Sequence, residues 1–394
     1  LHRSGVKDPS KRIFAFSLIY STTTVLVKHS DFTQEEIDAL KRFCYLMSFE
    51  PVYYPGIEDR GVDFDAFLQS YYDKYAKKTA EEQAAEMEAA ASGIGGGIKR
   101  HSGDLYHYII KWMLEGKDEE LYQKYLFDIR PTTDDRPFYA VYMKPQNIPM
   151  FTDKLSTISE EWSYLLILGT LVQALFFGLL IILIPLFGSV RSKAQTKKGL
   201  GGVVLYYSAL GIGFMLVEIY LIQKLVFFLA DPIFSVSIVI TTMLILSGIG
   251  SMYSSRIEDK PAKGLRYVSF ILVGIFLFYM FAMPPLLKIM LGFPFIVKIL
   301  LSMIFIAPAA FFMGMFFPTG LSNLSENREE LIPWAWGMNG AFPVTGSMLA
   351  RVISMHWGFV FVLLLAIVVY LTAGVIFPVN LIKRDETVEK APAN

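Results

Sequence analysis

Past about residue 160 the chain becomes a succession of long apolar runs, while the first 155 residues mix short apolar stretches with charge. A bilayer core about 30 Å thick takes about 20 apolar residues of helix. Seven stretches reach toward that length: 162–187, 200–229, 233–253, 267–287, 295–317, a weaker one from Pro333 to about Met355, and 359–382. The weaker stretch is interrupted by Gly337, Asn339, Gly340, Pro343 and Arg351, so it reads either as a span rich in small, close-packing residues or as a re-entrant segment. Proline inside a helix removes a hydrogen bond, and Pro343 therefore argues against a regular sixth helix.

The first part reads as α/β. Residues 13–20 and 24–28 are rich in aromatic and β-branched residues and predict two strands joined by Ser21-Thr22-Thr23. Thr33 followed by Glu36 makes a capping box ahead of a helix at 34–46, whose Ile37, Leu40, Lys41 and Cys44 share one face. A short strand at 50–54 ends at Pro55-Gly56. Helices are expected at 63–77, 105–115 and 119–125. Residues 78–91 are strong helix formers without an apolar face, which suits a solvated helix or an unstructured insert. Ser92-Gly-Ile-Gly-Gly-Gly97 resembles a phosphate cradle only superficially, because no strand precedes it; a linker is the simpler reading. The division expected is an α/β domain over 1–155 with a helical insert at about 63–125, a transmembrane bundle over 156–384 and a polar tail over 385–394.

Composition supports the membrane half. Apolar residues make up 54% of the chain and mean hydropathy is +0.44. Equal numbers of basic and acidic residues leave no basic stripe for nucleic acid. One cysteine, Cys44, excludes an internal disulfide, and the five histidines lack metal-ligand spacing. No signal peptide is visible and the chain opens Leu1-His2-Arg3, so the expectation is that the natural protein begins further upstream. With seven spans, one side carries Arg191, Lys193, Lys197, Lys198, Arg256, Lys260, Lys263, Arg266, Arg328, Lys383, Arg384 and Lys390. The other carries Lys144, Lys154, Lys224, Lys288, Lys298 and Arg351. The richer side is expected in the cytoplasm, which would place the α/β domain outside.

Two groups of residues carry candidate chemistry. Asp134, Asp135 and Arg136 lie between Pro131 and Pro137, and either bind a charged ligand or form a rigid turn in which an aspartate caps backbone N–H groups. Within the apolar runs, Glu218, Gln223, Lys224, Asn339 and Arg351 are polar groups that need a partner or a purpose. They serve either as a buried clamp between helices or as a substrate or proton pathway, the latter raising a cation or polyamine transporter as one functional class. No metal site is expected.

Several segments together resemble multi-pass bacterial membrane proteins related to spermidine synthase. They are residues 21–28 running into Phe32-Thr-x-Glu-Glu-Ile37, and Tyr125-x-Phe-Asp-Ile-Arg-Pro-Thr-Thr-Asp-Asp-Arg-Pro-Phe138. The membrane half adds Gly213-Phe-Met-Leu-Val-Glu-Ile219, Ile222-Gln-Lys224, Ser247-Gly-x-Gly-Ser251, Phe317-Pro-x-Gly320 and Pro333-Trp-Ala-Trp-Gly-x-Asn-Gly340. The resemblance implies that residues 1–56 are the last strands of a Rossmann-like methyltransferase domain. It implies aminopropyl or methyl transfer from an S-adenosylmethionine-type donor, with the donor-binding loop and catalytic acid upstream of Leu1. This chain alone would then bind no cofactor. It would depend on an upstream half or other membrane subunits in a bacterial inner membrane, either as part of an enzyme or as a non-catalytic accessory subunit.

Overall fold

The computed structural model describes residues 8–17, 23–58, 66, 101–125, 127–138, 143–147, 162–188, 200–257, 260–327 and 329–381. The expectations for 63–97 apart from residue 66, for residues 18–22 and for the tail over 385–394 lie outside these. The chain divides into two compact units, one comprising Leu1–Pro131 and Tyr139–Trp162, the other Thr132–Phe138 and Ser163–Asn394.

The first unit is built on three strands, β1 (Ile13–Ser17), β2 (Thr23–Val27) and β3 (Glu50–Tyr53), in the order β2-β1-β3. Both pairings are antiparallel, with Phe14 opposite Leu26 and Ala15 opposite both Val25 and Tyr53. Alternation sends Phe14, Phe16 and Leu26 to one face, where they pack with Ile37, Leu40 and Cys44 of α1 (Gln34–Leu46). The first turn of α1 closes as a capping box: Thr33 Oγ1 accepts from the Glu36 N–H at 3.3 Å and Glu36 Oε2 accepts from the Thr33 N–H at 2.9 Å. Lys28 Nζ lies 2.6 and 2.7 Å from the two Glu36 oxygens and, with the Thr33 N–H, holds that carboxyl below the usual glutamate range.

Ile13, Ala15, Val52 and Tyr53 face the other way, onto Tyr106, Ile110 and Leu114 of α2 (His101–Leu114). There a ring nitrogen of buried His107 bonds the Val52 carbonyl at 3.0 Å. The next helix, α3 (Asp118–Lys124), ends under Lys144, whose Nζ donates to the carbonyls of Tyr122, Gln123 and Tyr125 at 2.6, 3.1 and 2.6 Å. These are the carbonyls that a helix end leaves without intrahelical donors. A Rossmann layer needs parallel strands joined by crossover helices. The described sheet is wholly antiparallel, so the structure lends that expectation no support and shows a small sheet between two helices.

The second unit is a helical membrane bundle. Its helices are α4 (Trp162–Gly188), α5 (Leu200–Leu229), α6 (Pro232–Tyr253), α7 (Pro261–Phe281), α8 (Met283–Ile289), α9 (Phe295–Met313), α10 (Phe316–Asn327), α11 (Ile332–Trp357) and α12 (Phe359–Leu381). Five stretches among the described residues are long and apolar enough to cross a bilayer: Leu200–Leu229, Pro232–Ile257, Pro261–Phe281, Phe295–Glu326 and Phe359–Ile376. The count of seven is therefore not supported. α4 contributes only the shorter apolar stretch Tyr164–Leu180, and α11 falls short because its glycines, Asn339 and Arg351 lower its hydropathy. The expected 267–287 span also starts earlier and stops at Phe281, since Pro284 and Pro285 open the separate helix α8.

α5 is the hub, packing chiefly on α11 and α12, while α6 pairs with α9 and α7 with α12. The interfaces are set by small residues, as expected where lipid tails compete equally for apolar side chains. A Cβ on Gly250 of α6 would stand 1.9 Å from the Phe311 carbonyl oxygen, and one on Gly314 2.1 Å from that of Ser247, so these helices touch backbone to backbone. Between α5 and α11, a Cβ on Gly211 would meet Pro343 Cδ at 2.9 Å, and one on Gly346 would meet Ile212 Cα at 2.9 Å. Contrary to the expected break, α11 runs continuously through Pro343. The proline ring packs over Gly211, and the Asn339 carbonyl, which Pro343 cannot serve with an N–H, faces the same glycine.

Candidate functional site

Thr132–Phe138 stands out because it belongs with the helices although the chain on both sides belongs to the α/β unit. It is a tight turn. The Arg136 N–H donates to the Thr133 carbonyl at 2.9 Å and the Thr133 N–H to the Arg136 carbonyl at 3.2 Å, which leaves Asp134 and Asp135 as the two turn residues. A hydrogen bond from the Arg136 N–H to Thr133 Oγ1 at 3.1 Å tightens it. Asp134 is exposed, whereas Asp135 turns into the bundle.

There Asp135 meets the start of α12. Its backbone oxygen accepts from the Phe359 N–H at 3.0 Å, and its carboxylate oxygens lie 3.2 and 3.4 Å from the Val360 nitrogen. The first N–H groups of a helix have no partner within the helix, and their end carries partial positive charge. Asp135 answers both, as an N-cap supplied from a remote part of the chain. The approach is open because residue 358 is glycine: its φ of +95° suits glycine, and a Cβ there would stand 2.1 Å from Asp135 Oδ2. The same carboxylate is 3.1 Å from Lys224 Nζ of α5, with the lysine side chain 12% exposed and the aspartate 32%.

Lys224 continues the network inward. Its ammonium lies 5.6 Å from the Tyr220 ring centroid. The Tyr220 hydroxyl donates to the Tyr279 carbonyl of α7 at 2.7 Å, and the Tyr279 hydroxyl donates to the Phe305 carbonyl of α9. Beside the turn, Phe138 packs 5.8 Å from the Phe359 ring and carries the Arg351 guanidinium 4.5 Å above its own ring. Close by on α11, His356 Nε2 is 2.7 Å from the Tyr164 hydroxyl of α4.

Of the residues singled out in the sequence, the structure thus joins Asp135 with Lys224 and sets Arg351 on Phe138. It does not join Glu218 with Arg351. The side chains of Glu218, Gln223 and Asn339 make no hydrogen bond or ion pair among the described residues, and Glu218 is half-buried. Among the described residues no three His, Cys, Asp or Glu side chains group as metal ligands. The tyrosine clamps were missed by sequence reasoning. Tyr206 belongs with them, being fully buried and donating to the Phe316 carbonyl at 2.7 Å. The only available signal was a set of tyrosines inside apolar runs, where a hydroxyl must find an acceptor.

The arrangement is a lock rather than an open cleft: an acid, a lysine and a helix N-terminus satisfy one another at the rim of the bundle. Compared with protein-family models, curated proteins and solved structures, the chain finds no match.

Proposed function

We infer that this chain is the membrane-anchoring part of a spermidine synthase-like membrane protein. In this reading, aminopropyl or methyl transfer from an S-adenosylmethionine-type donor takes place in a donor-binding half supplied upstream or by another subunit. The observation that carries it is the engagement of Asp135. It lies in one of the segments that carry the resemblance, and its carboxylate is occupied by Lys224 and the first turn of α12. A carboxylate held this way serves attachment instead of positioning an amine nucleophile. For this chain by itself, the consequence is an accessory, non-catalytic role.

The test is a thermal-shift titration with S-adenosylmethionine and its decarboxylated form, run on the purified chain and on the chain co-expressed with its upstream region. The expected result is no shift for the chain alone and a donor-dependent rise for the longer protein. A millimolar-donor shift in the chain alone would overturn the reading, as would its isolation as an active monomer.

The same reading places α4 and α11 across the bilayer with the five apolar helices, making seven crossings in a bacterial inner membrane with the α/β unit outside, an orientation that parts it from a cytoplasmic donor and so weighs toward the accessory role. Two observations favour it: the excess of Lys and Arg in loops on one side, and the close packing of α11 along α5. An impermeant maleimide is expected to label Leu291→Cys in intact cells and Ser255→Cys only after lysis. The reverse pattern would invert the topology.

A polyamine or cation transporter is a second reading. It is favoured by Glu218, an acid within a membrane helix and without a partner among the described residues. Unchanged uptake in Glu218→Gln would remove it.

A further inference from the structure

The last turn of α1 presents an unusual surface. Phe43, Tyr45, Leu46 and Met47 are 44, 86, 78 and 53% exposed, although they are consecutive except for buried Cys44. One face of the helix is used up against the sheet through Ile37, Leu40 and Cys44, and Phe43 leans its ring on Phe16 and Phe49 at 6.2 and 5.8 Å, which leaves Tyr45, Leu46 and Met47 as the outward side chains. Ser48 follows with φ of +57°, a left-handed residue that ends the helix and leaves the cluster at its tip. Beside it Lys41 and Arg42 line, with Tyr45 and Leu46, an open groove of about 380 Å³. Arg42 is exposed, and Lys41 is braced over the Tyr54 ring at 3.9 Å.

Large apolar side chains crowded on one exposed tip mark a surface that something covers. Aromatic and aliphatic groups rimmed by Lys and Arg match the boundary between headgroups and acyl chains. There, apolar side chains sink a few ångströms while the cationic heads remain at the phosphates. The chain also ties the α/β unit to a membrane unit. The α/β unit is joined to the membrane unit at three points of the sequence, after Pro131, before Tyr139 and at Trp162. Such tethering makes the second contact effectively intramolecular, so even a weak surface interaction is populated.

We propose that the α1 tip, residues 41–47, is a membrane-docking surface that inserts Tyr45, Leu46 and Met47 into the host bilayer while Lys41 and Arg42 bind anionic phospholipid headgroups. The proposal does not rest on the functional reading above, so its test stands apart from it.

The experiment uses the full chain in nanodiscs with and without anionic lipid, in a Cys44→Ala background, with a spin label at Leu46→Cys. Val27→Cys, exposed on the opposite face of the sheet, is the control. The expected result is a label at 46 relaxed by oxygen and shielded from a water-soluble nickel reagent, with the control showing the opposite. The shielding should fall several-fold when anionic lipid is omitted or when Lys41→Glu and Arg42→Glu are combined. A label at 46 as open to nickel as the control would overturn the proposal. A label immobilised and closed to both reagents would also overturn it, because that signature means coverage by protein, a partner or a second copy. Unchanged α/β-unit melting in the charge variant confirms that it folds.

Discussion

Asp135 and its neighbour Asp134 are chemically identical and adjacent, yet they differ in every relevant contact. Asp135→Asn and Lys224→Met are each expected to lower stability by about 1–2 kcal/mol, the range of a partly buried cap and helix-end charge. Asp134→Asn should stay within about 0.5 kcal/mol, as surface changes usually do. In a double-mutant cycle, measured by unfolding in detergent, the Asp135–Lys224 pair should show coupling of about 0.5–3 kcal/mol, and strict additivity would dissolve the pair. Glu36 offers a pH readout. Its folded carboxyl titrates below the unfolded value because Lys28 and the Thr33 N–H bond the charged form. Its contribution is therefore full above about pH 4.3, the unfolded value, and is lost as pH falls through the folded one. A Lys28→Met variant should melt below the wild type at pH 7, with the gap closing in acid; a gap of equal size at both pH values would mean the pair is silent. The contrast between these two acids also marks what a sequence discloses. Thr33 and Glu36 declare their cap because both partners fall in one helical turn. Asp135 and Lys224 are 89 residues apart, and no periodicity connects them.

Elements were legible wherever their cause was local. The break between the apolar runs 200–229 and 233–253 falls on Asp231-Pro232, and the structure makes it an N-cap: Asp231 Oδ1 accepts from the Ile233 and Phe234 N–H groups at 2.8 and 3.0 Å, with proline in the first helical turn. Pro343 misled because its ring crowds the Asn339 carbonyl of its own helix and leaves it without an N–H, yet Gly211 of α5 gives room for both ring and carbonyl so that α11 continues. Gly250 and Gly314 make the tightest crossing, so Gly250→Ala should cost about 1–3 kcal/mol by overpacking. Gly248→Ala, with nothing within 4 Å, should be nearly neutral, and equal losses at both sites would contradict the contact. Removing one interhelical hydroxyl with Tyr220→Phe should cost about 0.6 kcal/mol and no more than about 1.7. Such clamps escape sequence reading because their acceptors are backbone carbonyls, which every residue carries.

For the whole molecule, apolar runs disclosed a membrane bundle, and alternation with capping disclosed strands and helices in the first part. They did not disclose that Thr132–Phe138 is shared out to the helices, because that assignment rests on contacts to Lys224 and to α12. This last contact has a consequence for how the protein is made. The Val360 N–H that Asp135 caps lies 225 residues downstream, on α12, the last of the described helices. During synthesis the turn leaves the ribosome long before its receptor exists, and it closes only when α12 has entered the bilayer. The lock thus reports that α12 is in place: a nascent chain that stops short of Phe359 lacks both N–H donors, leaves Asp135 held by Lys224 alone and displays a looser turn to the cell's proteases. Chains truncated just before Phe359 should be cleaved near Asp135 in a limited-proteolysis time course, whereas chains reaching Leu381 should resist.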